Sequence, residues 1–132
     1  MIHERFKTSF AEKVINLDWL GGFFDGEGCI FFKPLRKKKT WKGIEYYYPD
    51  LQVIIGQSGE LGLQLCKELQ VVYGFGKISS THGSKLTKKT PYMTRLSGKK
   101  AFKFLIRLEP YLIIKQQKAK EVISYMADYY DN

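Results

Sequence analysis

Apolar residues along the chain recur first at a helical spacing and then at a strand spacing. The stretch from Leu17 to Gly28 is mostly apolar, ends in glycine and follows Asn16, a residue type that favours the N-cap of a helix. Cys29 to about Lys39 then alternates and turns basic, and Ile44 to Ile55 is rich in Tyr, Ile and Val, with Thr40–Gly43 between the two stretches. This part of the chain therefore predicts one helix followed by a β-hairpin.

The second half repeats this succession of a helix and two strands. Ser58–Glu60 opens a helical pattern that has leucines on one face, and Gly74 closes it. Two shorter strands and two helices are predicted after it: strands Phe75–Thr81 and Pro91–Leu96, and helices Lys99–Leu108 and Lys115–Tyr129. The first of these helices is expected to end before Pro110, because the residue that precedes a proline is disfavoured in helical conformation.

This order of elements predicts the fold class. Pairs of strands separated by helices favour an α+β domain with an αββαββα core and a four-stranded antiparallel sheet. Helices cover one face of such a sheet and leave the other face open, which is where basic residues are expected. The length of 132 residues fits a single domain that spans residues 1–132.

The composition restricts the partners of this domain. The formal net charge is +9 and aromatic residues make up 15% of the chain, so we expect a folded basic domain that binds a polyanion such as nucleic acid. The alternative is a ribosomal protein, or one whose lysines serve solubility alone.

The same sequence indicates a soluble, intracellular protein without a membrane partner. No apolar run approaches the roughly 18 residues of a membrane span, and the N-terminus does not resemble a signal peptide. Cys29 and Cys66 lie among apolar residues and are expected to be buried free thiols in a reducing compartment.

The segment from Leu20 to Gly28 carries the candidate chemistry. Gly21 and Gly22 each cost the helix roughly 1 kcal/mol relative to alanine. Gly22 and Gly26 lie on one helix face, and a face without side chains allows a second helix to approach closely. Glu27 stands at the helix C-terminus, where the helix dipole disfavours a carboxylate, so a basic side chain or a metal is expected near it.

This segment resembles the motif of the LAGLIDADG homing endonucleases over all nine positions without a gap. Leu20, Gly22, Asp25 and Gly28 match the letters of the motif, and the remaining positions are common variants of it. A second segment, Pro110–Gln117, resembles the family's proline-apolar-lysine stretch. The resemblance covers nearly the whole chain and implies a saddle-shaped sheet. Because chains with one motif act as homodimers in this family, it also implies a homodimer through the motif helix.

The resemblance implies roles for individual residues. Glu27 takes the place of the essential metal-binding acid, with Mg²⁺ as the expected metal and the Gly26 carbonyl as a further ligand. Asp25 is expected to be mainly structural and to bond backbone near the helix end, a direct metal role being the alternative. Lys115 matches a lysine near the scissile phosphates, and Gln57 matches a glutamine that holds active-site water. For Lys115 the alternative is a lysine at the start of a helix whose side chain covers the core. For Gln57 the alternative is a register shifted by one residue.

Two binding surfaces are expected. The dimer interface is expected to comprise Leu20, Gly21, Gly22, Asp25 and Gly26. A two-stranded ribbon fits the major groove of DNA, so contacts are expected on the open face of the sheet. Counting by twos along the strands gives this DNA-contacting set: Phe31, Lys33, Leu35, Lys37, Lys39, Tyr46, Tyr48, Gln52, Lys77, Ser79, Thr81, Tyr92 and Thr94, with Asp50 in the same phase.

Some of these positions have a second interpretation. Arg95 fits the open face only if the phase of its strand slips by one residue. The tract Arg36–Lys39 is also what a solvated hairpin carries. The run Tyr46–Tyr48 is equally compatible with a place partly in the core.

The expected function is that of an intron-encoded, metal-dependent homing endonuclease that cuts a long, nearly palindromic site in double-stranded DNA. Two rivals keep the fold: a maturase that binds intron RNA, and a DNA-binding regulator without catalysis, which typically loses the motif acid. A structural ribonucleoprotein component does not account for two glycines inside a helix that ends in an acid. The DNA target and the host, whether organellar, prokaryotic or phage, remain open.

Overall fold

The computed structural model describes residues 16–80 and 90–131, which form helices and strands in the predicted order. The helices are α1 (Leu17–Glu27), α2 (Gly59–Tyr73), α3 (Gly98–Leu108) and α4 (Gln116–Asp131). The strands are β1 (Cys29–Trp41), β2 (Ile44–Ser58), β3 (Ser79–Ser80) and β4 (Pro91–Ser97). A short 3-10 helix, Glu109–Tyr111, follows α3 directly. The predicted α+β fold class is confirmed.

The first helix begins where the sequence predicts it. Asn16 precedes α1, and its side-chain oxygen accepts a hydrogen bond from the backbone N–H of Asp18 at 2.9 Å. This contact satisfies one of the backbone donors that the first turn of a helix leaves without a partner. The N-cap prediction is therefore confirmed.

A two-residue turn closes the hairpin of β1 and β2. Lys42 (φ 51°) and Gly43 (φ 79°) both adopt positive φ, as the type I′ turn requires. Trp41 pairs with Ile44 directly beside the turn. Thr40 and Trp41, which the sequence placed in the connection, therefore extend β1.

The sheet has the strand order β1-β2-β4-β3, and each neighbouring pair is antiparallel. The register shifts between Lys33 and Lys37, because β1 advances by four positions while β2 goes from Asp50 to Tyr48. A bulge with an even number of extra residues preserves the alternation of faces along the strand. Lys37 consequently stands opposite Tyr48, in the same phase as the residues before the bulge.

The helices bury one face of this sheet. In β2, Pro49, Leu51, Val53 and Ile55 are buried and alternate with half-buried neighbours. Helices α2 and α3 pack on β2 and β4, and α1 packs against α3 and the 3-10 helix. The shared core consists of Leu20, Phe24, Ile30, Leu51, Val53, Ile55, Leu65, Leu69, Phe75, Leu96, Ala101, Phe104, Leu105, Leu108, Leu112, Ala119, Val122 and Met126.

Two local predictions are wrong. The third strand begins at Ser79 rather than Phe75, because the Phe75 ring enters the core and packs edge-on against Phe104 at 5.2 Å. Cys66 is buried as expected, whereas Cys29 is exposed. Cys29 pairs with Ile54, whose position belongs to the open face of the sheet.

Within the described ranges, none of the helices is both long and apolar enough to cross a membrane.

Candidate functional site

Asp25, near the end of α1, is bonded to the segment that precedes α4. Its carboxylate accepts the backbone N–H of Ile113 at 2.6 Å and that of Lys115 at 2.9 Å. The Lys115 ammonium in turn donates to the backbone carbonyl of Asp25. These reciprocal bonds hold Lys115 at the C-terminal end of α1, and they agree with the structural role expected for Asp25.

The surroundings of Asp25 favour its ionised form. Burial by itself raises the pKa of this carboxyl, but hydrogen bonds from the backbone N–H groups of Lys115, Ile113 and Ile114 lower it. The positive charge of Lys115 lowers it further, so the net pKa lies below the ordinary value of aspartate. The Asp25 carboxylate is therefore ionised, lies inside the subunit and accepts hydrogen bonds on both oxygens.

Glu27, by contrast, is exposed at the last position of α1, beside the exposed Gly26. The following residue, Gly28, ends the helix, and its N–H donates to the Phe24 carbonyl at 2.8 Å. A Cβ at Gly28 would lie 2.0 Å from the Phe24 ring, so glycine is required at this position. The close packing of Phe24 on Gly28 fixes the direction in which the chain leaves the helix, and with it the place of Glu27.

The oxygen atoms of Glu27 and of the Gly26 carbonyl suit a hard divalent cation such as Mg²⁺. Within the described part of the chain, no cluster of three or more His, Cys, Asp or Glu side chains could hold a metal. Because both carboxylate oxygens of Asp25 already accept backbone N–H groups, Glu27 is the acid at this helix end that remains accessible. Among the described residues, Glu27 and the Gly26 carbonyl therefore offer neighbouring oxygen ligands but not a complete metal site.

Gln57 lies at the same end of the sheet as Glu27. It is exposed near the end of β2, three positions beyond Ile54, which pairs with Cys29 at the start of β1. Its side-chain oxygen accepts the backbone N–H of Ser58 at 3.0 Å, which leaves the amide NH₂ group as a donor. The structure therefore brings Lys115 to the helix end that carries Glu27. Gln57 lies at the same end of the sheet, in the phase of β2 that faces the helices, and none of the described contacts joins it to Glu27 or Lys115.

The phase predicted for the first two strands agrees with the sheet register. Phe31 pairs with Gln52 and Lys33 with Asp50, and these positions alternate with the buried residues of β1 and β2. Tyr46 and Tyr48 share this phase, opposite Lys39 and Lys37. Leu35 falls inside the bulge and has no partner in the register.

The phase predicted for β4 is wrong by one residue. Thr94 is buried at 1% exposure, and its hydroxyl donates to the Gly76 carbonyl at 2.7 Å. Tyr92 has the same phase and stands opposite Gln57, towards the covered side. The open face of β4 instead carries Met93, Arg95 and Ser97. The buried hydroxyl explains the error, because a threonine with an internal acceptor can occupy a core position.

Arg95, Gln52 and Asp50 form a hydrogen-bonded row across the open face. The Arg95 guanidinium donates to the Gln52 side-chain oxygen at 2.9 Å, and the Gln52 amide donates to an Asp50 oxygen at 3.2 Å. Ser79 pairs with Met93 at the far edge of the face, and Lys77 is exposed just before β3. Thr81 lies outside the described residues.

The exposed face of α1 differs from the predicted dimer interface. Gly22 and Gly26 have open space around them. Trp19 is 39% exposed and stacks on Phe23, with ring centroids 5.3 Å apart. Trp19, Gly22 and Gly26 are therefore exposed along one side of α1, and the half-buried Phe23 lies beside them. The two aromatic residues were missed, although their spacing of four positions beside the glycines signals them.

Three residues expected in the interface point into the subunit instead. Leu20 is fully buried in the core, and Asp25 is bonded to the segment before α4. A Cβ at Gly21 would lie 2.5 Å from the Tyr111 carbonyl oxygen, so this glycine allows a close approach within one chain. The prediction that Leu20, Gly21 and Asp25 contact a second subunit is therefore wrong.

The domain thus combines an open sheet face that carries basic residues with an accessible acid where its first helix ends. The family model described as LAGLIDADG endonuclease matches residues 20–120. The chain belongs to this family. Among curated proteins, no sequence gives a significant match.

Solved structures of homing endonucleases share the fold. The homing endonuclease I-CvuI, in complex with its target in the presence of Ca, has a TM-score of 0.61 at 20% identity, over 86% of this chain and 66% of that chain. The archaeal intron-encoded homing endonuclease I-Vdi141I, complexed with DNA, gives 0.55 at 15% identity, over 86% and 69%. The LAGLIDADG homing endonuclease I-SmaMI, bound to cleaved DNA, gives 0.60 at 16% identity, over 86% and 37%. The chain thus spans slightly less than two thirds of I-CvuI and little more than a third of I-SmaMI.

Proposed function

We propose that this protein is a homodimeric endonuclease that cuts both strands of a long, nearly palindromic site in double-stranded DNA with the help of a divalent metal. The observation that carries the proposal is the place of Glu27, an accessible acid at the end of a helix whose exposed side carries two glycines and apolar rings. Membership of the LAGLIDADG endonuclease family and the DNA-bound structures of similar fold support it.

The exposed face of α1 supports a two-fold dimer. Gly22 and Gly26 allow a second backbone to approach closely, and the stacked rings of Trp19 and Phe23 offer apolar surface beside them. A two-fold axis along this face brings the two helix ends, and therefore the two Glu27 carboxylates, towards each other. Two adjacent carboxylates repel each other unless a cation lies between them. The dimer would therefore complete the ligand set that one subunit leaves open.

The open face of the sheet supports binding of duplex DNA. The hairpin of β1 and β2 is a two-stranded ribbon of the size that enters the major groove. Lys33 and Lys39 supply positive charge along it, and Arg95 and Gln52 supply donors suited to base edges. Two such faces side by side would read two half-sites, which makes the target long and nearly palindromic.

The end of α1 supports hydrolysis of a phosphodiester. A divalent metal held by Glu27 and the Gly26 carbonyl supplies water activation and stabilisation of the leaving oxygen when it is bound. The Lys115 ammonium, held at the helix end by Asp25, places a positive charge where negative charge develops on the phosphate. The free NH₂ of Gln57 can donate to a water or a phosphate oxygen at the same end of the sheet.

Cleavage of a DNA library tests the proposal. Purified protein is incubated with randomised duplex DNA and Mg²⁺, and the cut ends are sequenced while sedimentation reports the oligomeric state. We expect a dimer that leaves one nick in each strand of a common, nearly palindromic sequence. Specific binding without cuts would indicate a DNA-binding protein on the same fold. The absence of any preferred sequence would contradict the whole assignment.

A further inference from the structure

The hairpin of β1 and β2 extends beyond the part of the sheet that the helices cover. The first buried residue of β2 is Pro49, and every residue from Lys39 to Tyr47 is exposed. We call Lys39–Tyr47 the hairpin arm; the turn between β1 and β2 lies at its tip. The arm has no residue in the core cluster, so its side chains are accessible to a partner.

One face of the hairpin arm carries a cluster of large apolar side chains. Trp41 pairs with Ile44 and Lys39 with Tyr46, and antiparallel partners project on the same face. Their phase is that of Phe31 and the other residues of the open sheet face. Trp41 is 58% exposed, Ile44 55% and Tyr46 47%. We call these three residues the apolar cluster; it prolongs the open sheet face to the tip of the hairpin.

Positive charge borders the apolar cluster. Lys39 lies on the same face, and the Lys42 ammonium lies over the Trp41 ring at 5.8 Å from its centre. The one acidic residue of the hairpin arm, Glu45, projects from the opposite face. An exposed apolar cluster marks an interaction site. Because the surrounding charge is positive and the acid points away, the partner that fits is a polyanion with apolar groups on its surface.

The hairpin arm lies at the end of the open face that is farthest from α1. Cys29, the first residue of β1, follows the helix end directly, whereas Trp41 is the last residue of the strand. Along β2, Ile44 is eight positions from Gln52, which is about 27 Å at roughly 3.4 Å per residue. In the proposed dimer the two ends of α1 meet at the centre of the target. The arm therefore reaches the outer end of each half-site.

The major groove of DNA offers one apolar group to such a cluster. The base edges there present hydrogen-bond donors and acceptors, and thymine alone adds a methyl group. Apolar side chains contact that methyl, and lysines meet the phosphates beside it. An apolar cluster in the groove therefore favours thymine over the other bases.

We propose that Trp41 and Ile44 bind thymine methyl groups in the major groove, at the outer end of each half-site. Lys39 and Lys42 bind the adjacent phosphates. The inference rests on the proposed binding of duplex DNA to the open sheet face. It adds a base preference that the polar residues of that face do not supply.

The test removes methyl groups from the DNA and leaves the protein unchanged. Sequencing of the library DNA that is bound in Ca²⁺ gives a preferred target, and we expect thymine at one or more outer positions of each half-site. Each of these thymines is then replaced with deoxyuridine, which keeps the hydrogen-bonding edges of the base and lacks only the methyl group. Fluorescence anisotropy compares the affinities for the two duplexes.

Wild-type protein should bind the deoxyuridine duplex roughly fourfold more weakly for each methyl group that it contacts. Trp41→Ala should bind both duplexes with equal affinity. Tyr47→Ala is the matched control, because Tyr47 is a 55% exposed aromatic residue on the opposite face of the same arm. This control should keep the wild-type difference between the two duplexes.

Equal affinity of the wild type for both duplexes would overturn the proposal. A difference that survives in Trp41→Ala, or that is lost in Tyr47→Ala, would do the same. A change in the oligomeric state of free Trp41→Ala, measured by sedimentation, would assign the apolar cluster to a second copy of the chain instead. A preferred target without thymine at its outer positions overturns this inference alone. A library without any preferred sequence contradicts the proposed function, and this inference falls with it.

Discussion

The Asp25 carboxylate and Lys115 are joined by reciprocal hydrogen bonds, although the two residues lie 90 positions apart in the sequence. Asp25 accepts the backbone N–H of Lys115, and the Lys115 ammonium donates to the backbone carbonyl of Asp25. The contact fastens the segment before α4 to the end of α1, where Glu27 stands. In the proposed endonuclease, Asp25 would therefore be a positioning residue for the Lys115 cation.

Replacing Asp25 with asparagine should destabilise the fold. Asp25→Asn keeps the shape but replaces one accepting oxygen by a donor that faces a backbone N–H. Hydrogen bonds to charged groups contribute roughly 1.5–3 kcal/mol, so we expect the free energy of unfolding in urea to fall by about 2 kcal/mol at neutral pH. Asp18→Asn, at an exposed aspartate in the first turn of α1, is the matched control and should change stability less.

The effect of Asp25→Asn should depend on pH. The folded-state pKa of Asp25 lies below its ordinary value. The ionised carboxylate therefore stabilises the fold above the ordinary pKa of about 3.9, and this contribution is lost as the pH falls through the lower folded-state pKa. The stability difference between wild type and variant should be constant near neutrality and shrink in acid. A difference that stays the same at all pH values would show that the charge of Asp25 is not what stabilises this contact.

Glu27→Gln should abolish cleavage and preserve DNA binding. The substitution keeps the shape of the side chain and removes the accessible charge that would hold the metal, so activation of water and stabilisation of the leaving oxygen are lost together. Binding should be unchanged or tighter, because a negative charge near the phosphates has been removed. Gel shifts in Ca²⁺ and cleavage in Mg²⁺ on the same preparation measure both. Glu121→Gln, at an exposed acid of α4, should cut like wild type. Cleavage by Glu27→Gln near the wild-type rate would remove Glu27 from the active site.

Alanine substitutions at the neighbouring Gly21 and Gly22 of α1 should change different properties, the stability of the subunit and the dissociation of the dimer. A Cβ at Gly21 would meet the Tyr111 carbonyl oxygen at 2.5 Å, so Gly21→Ala should destabilise the subunit by about 1–3 kcal/mol through overpacking. Gly22 has open space within the subunit, and alanine there should favour the helix by roughly 1 kcal/mol in an isolated chain. In the proposed dimer the added methyl separates the helices, so the dimer dissociation constant should rise. Sedimentation and urea unfolding of both variants make the comparison, and an unchanged dissociation constant for Gly22→Ala would place the interface elsewhere.

Substitutions at two adjacent residues of β4 should have different effects, one on DNA sequence preference and the other on the stability of the fold. Arg95→Ala removes an exposed donor on the open face, so the base preference of the selected DNA should relax at one position in each half-site. Thr94→Val removes the buried hydroxyl that donates to Gly76 and should cost about 1 kcal/mol of stability without a change in preference. Sequencing of bound library DNA and thermal unfolding measure the two effects. If Thr94→Val altered the preference while Arg95→Ala did not, the orientation of β4 on the DNA would be reversed.

The salt dependence of DNA binding should report the charges of the hairpin. Lys33→Gln/Lys39→Gln removes two cations per subunit from the open face, and each phosphate contact contributes about 0.9 to the slope of log affinity against log salt. We expect the slope to fall by roughly 3–4 for the dimer. Lys118→Gln/Lys120→Gln on α4 should leave it nearly unchanged. Equal slopes for both variants would show that DNA does not lie on the open face.

The order of helices and strands, the cap at Asn16, the phase of β1 and β2 and the candidate acid Glu27 all followed from the sequence. These features are set by interactions between residues close in the chain. An N-cap bonds a backbone group two residues away, and strand alternation has a period of two. The glycine face of α1 was also recognisable, because Gly22 and Gly26 are one helical turn apart.

Contacts between distant segments decided the rest. The phase of β4 depends on its pairing with β2 and on Gly76, whose carbonyl lets Thr94 face inward. The directions of Gly21 and Asp25 depend on where the segment around Tyr111 and Lys115 lands against α1. A local pattern shows that a residue is small or charged. Whether that residue is buried depends on its partner, and the partners here lie 18 to 90 positions away in the sequence.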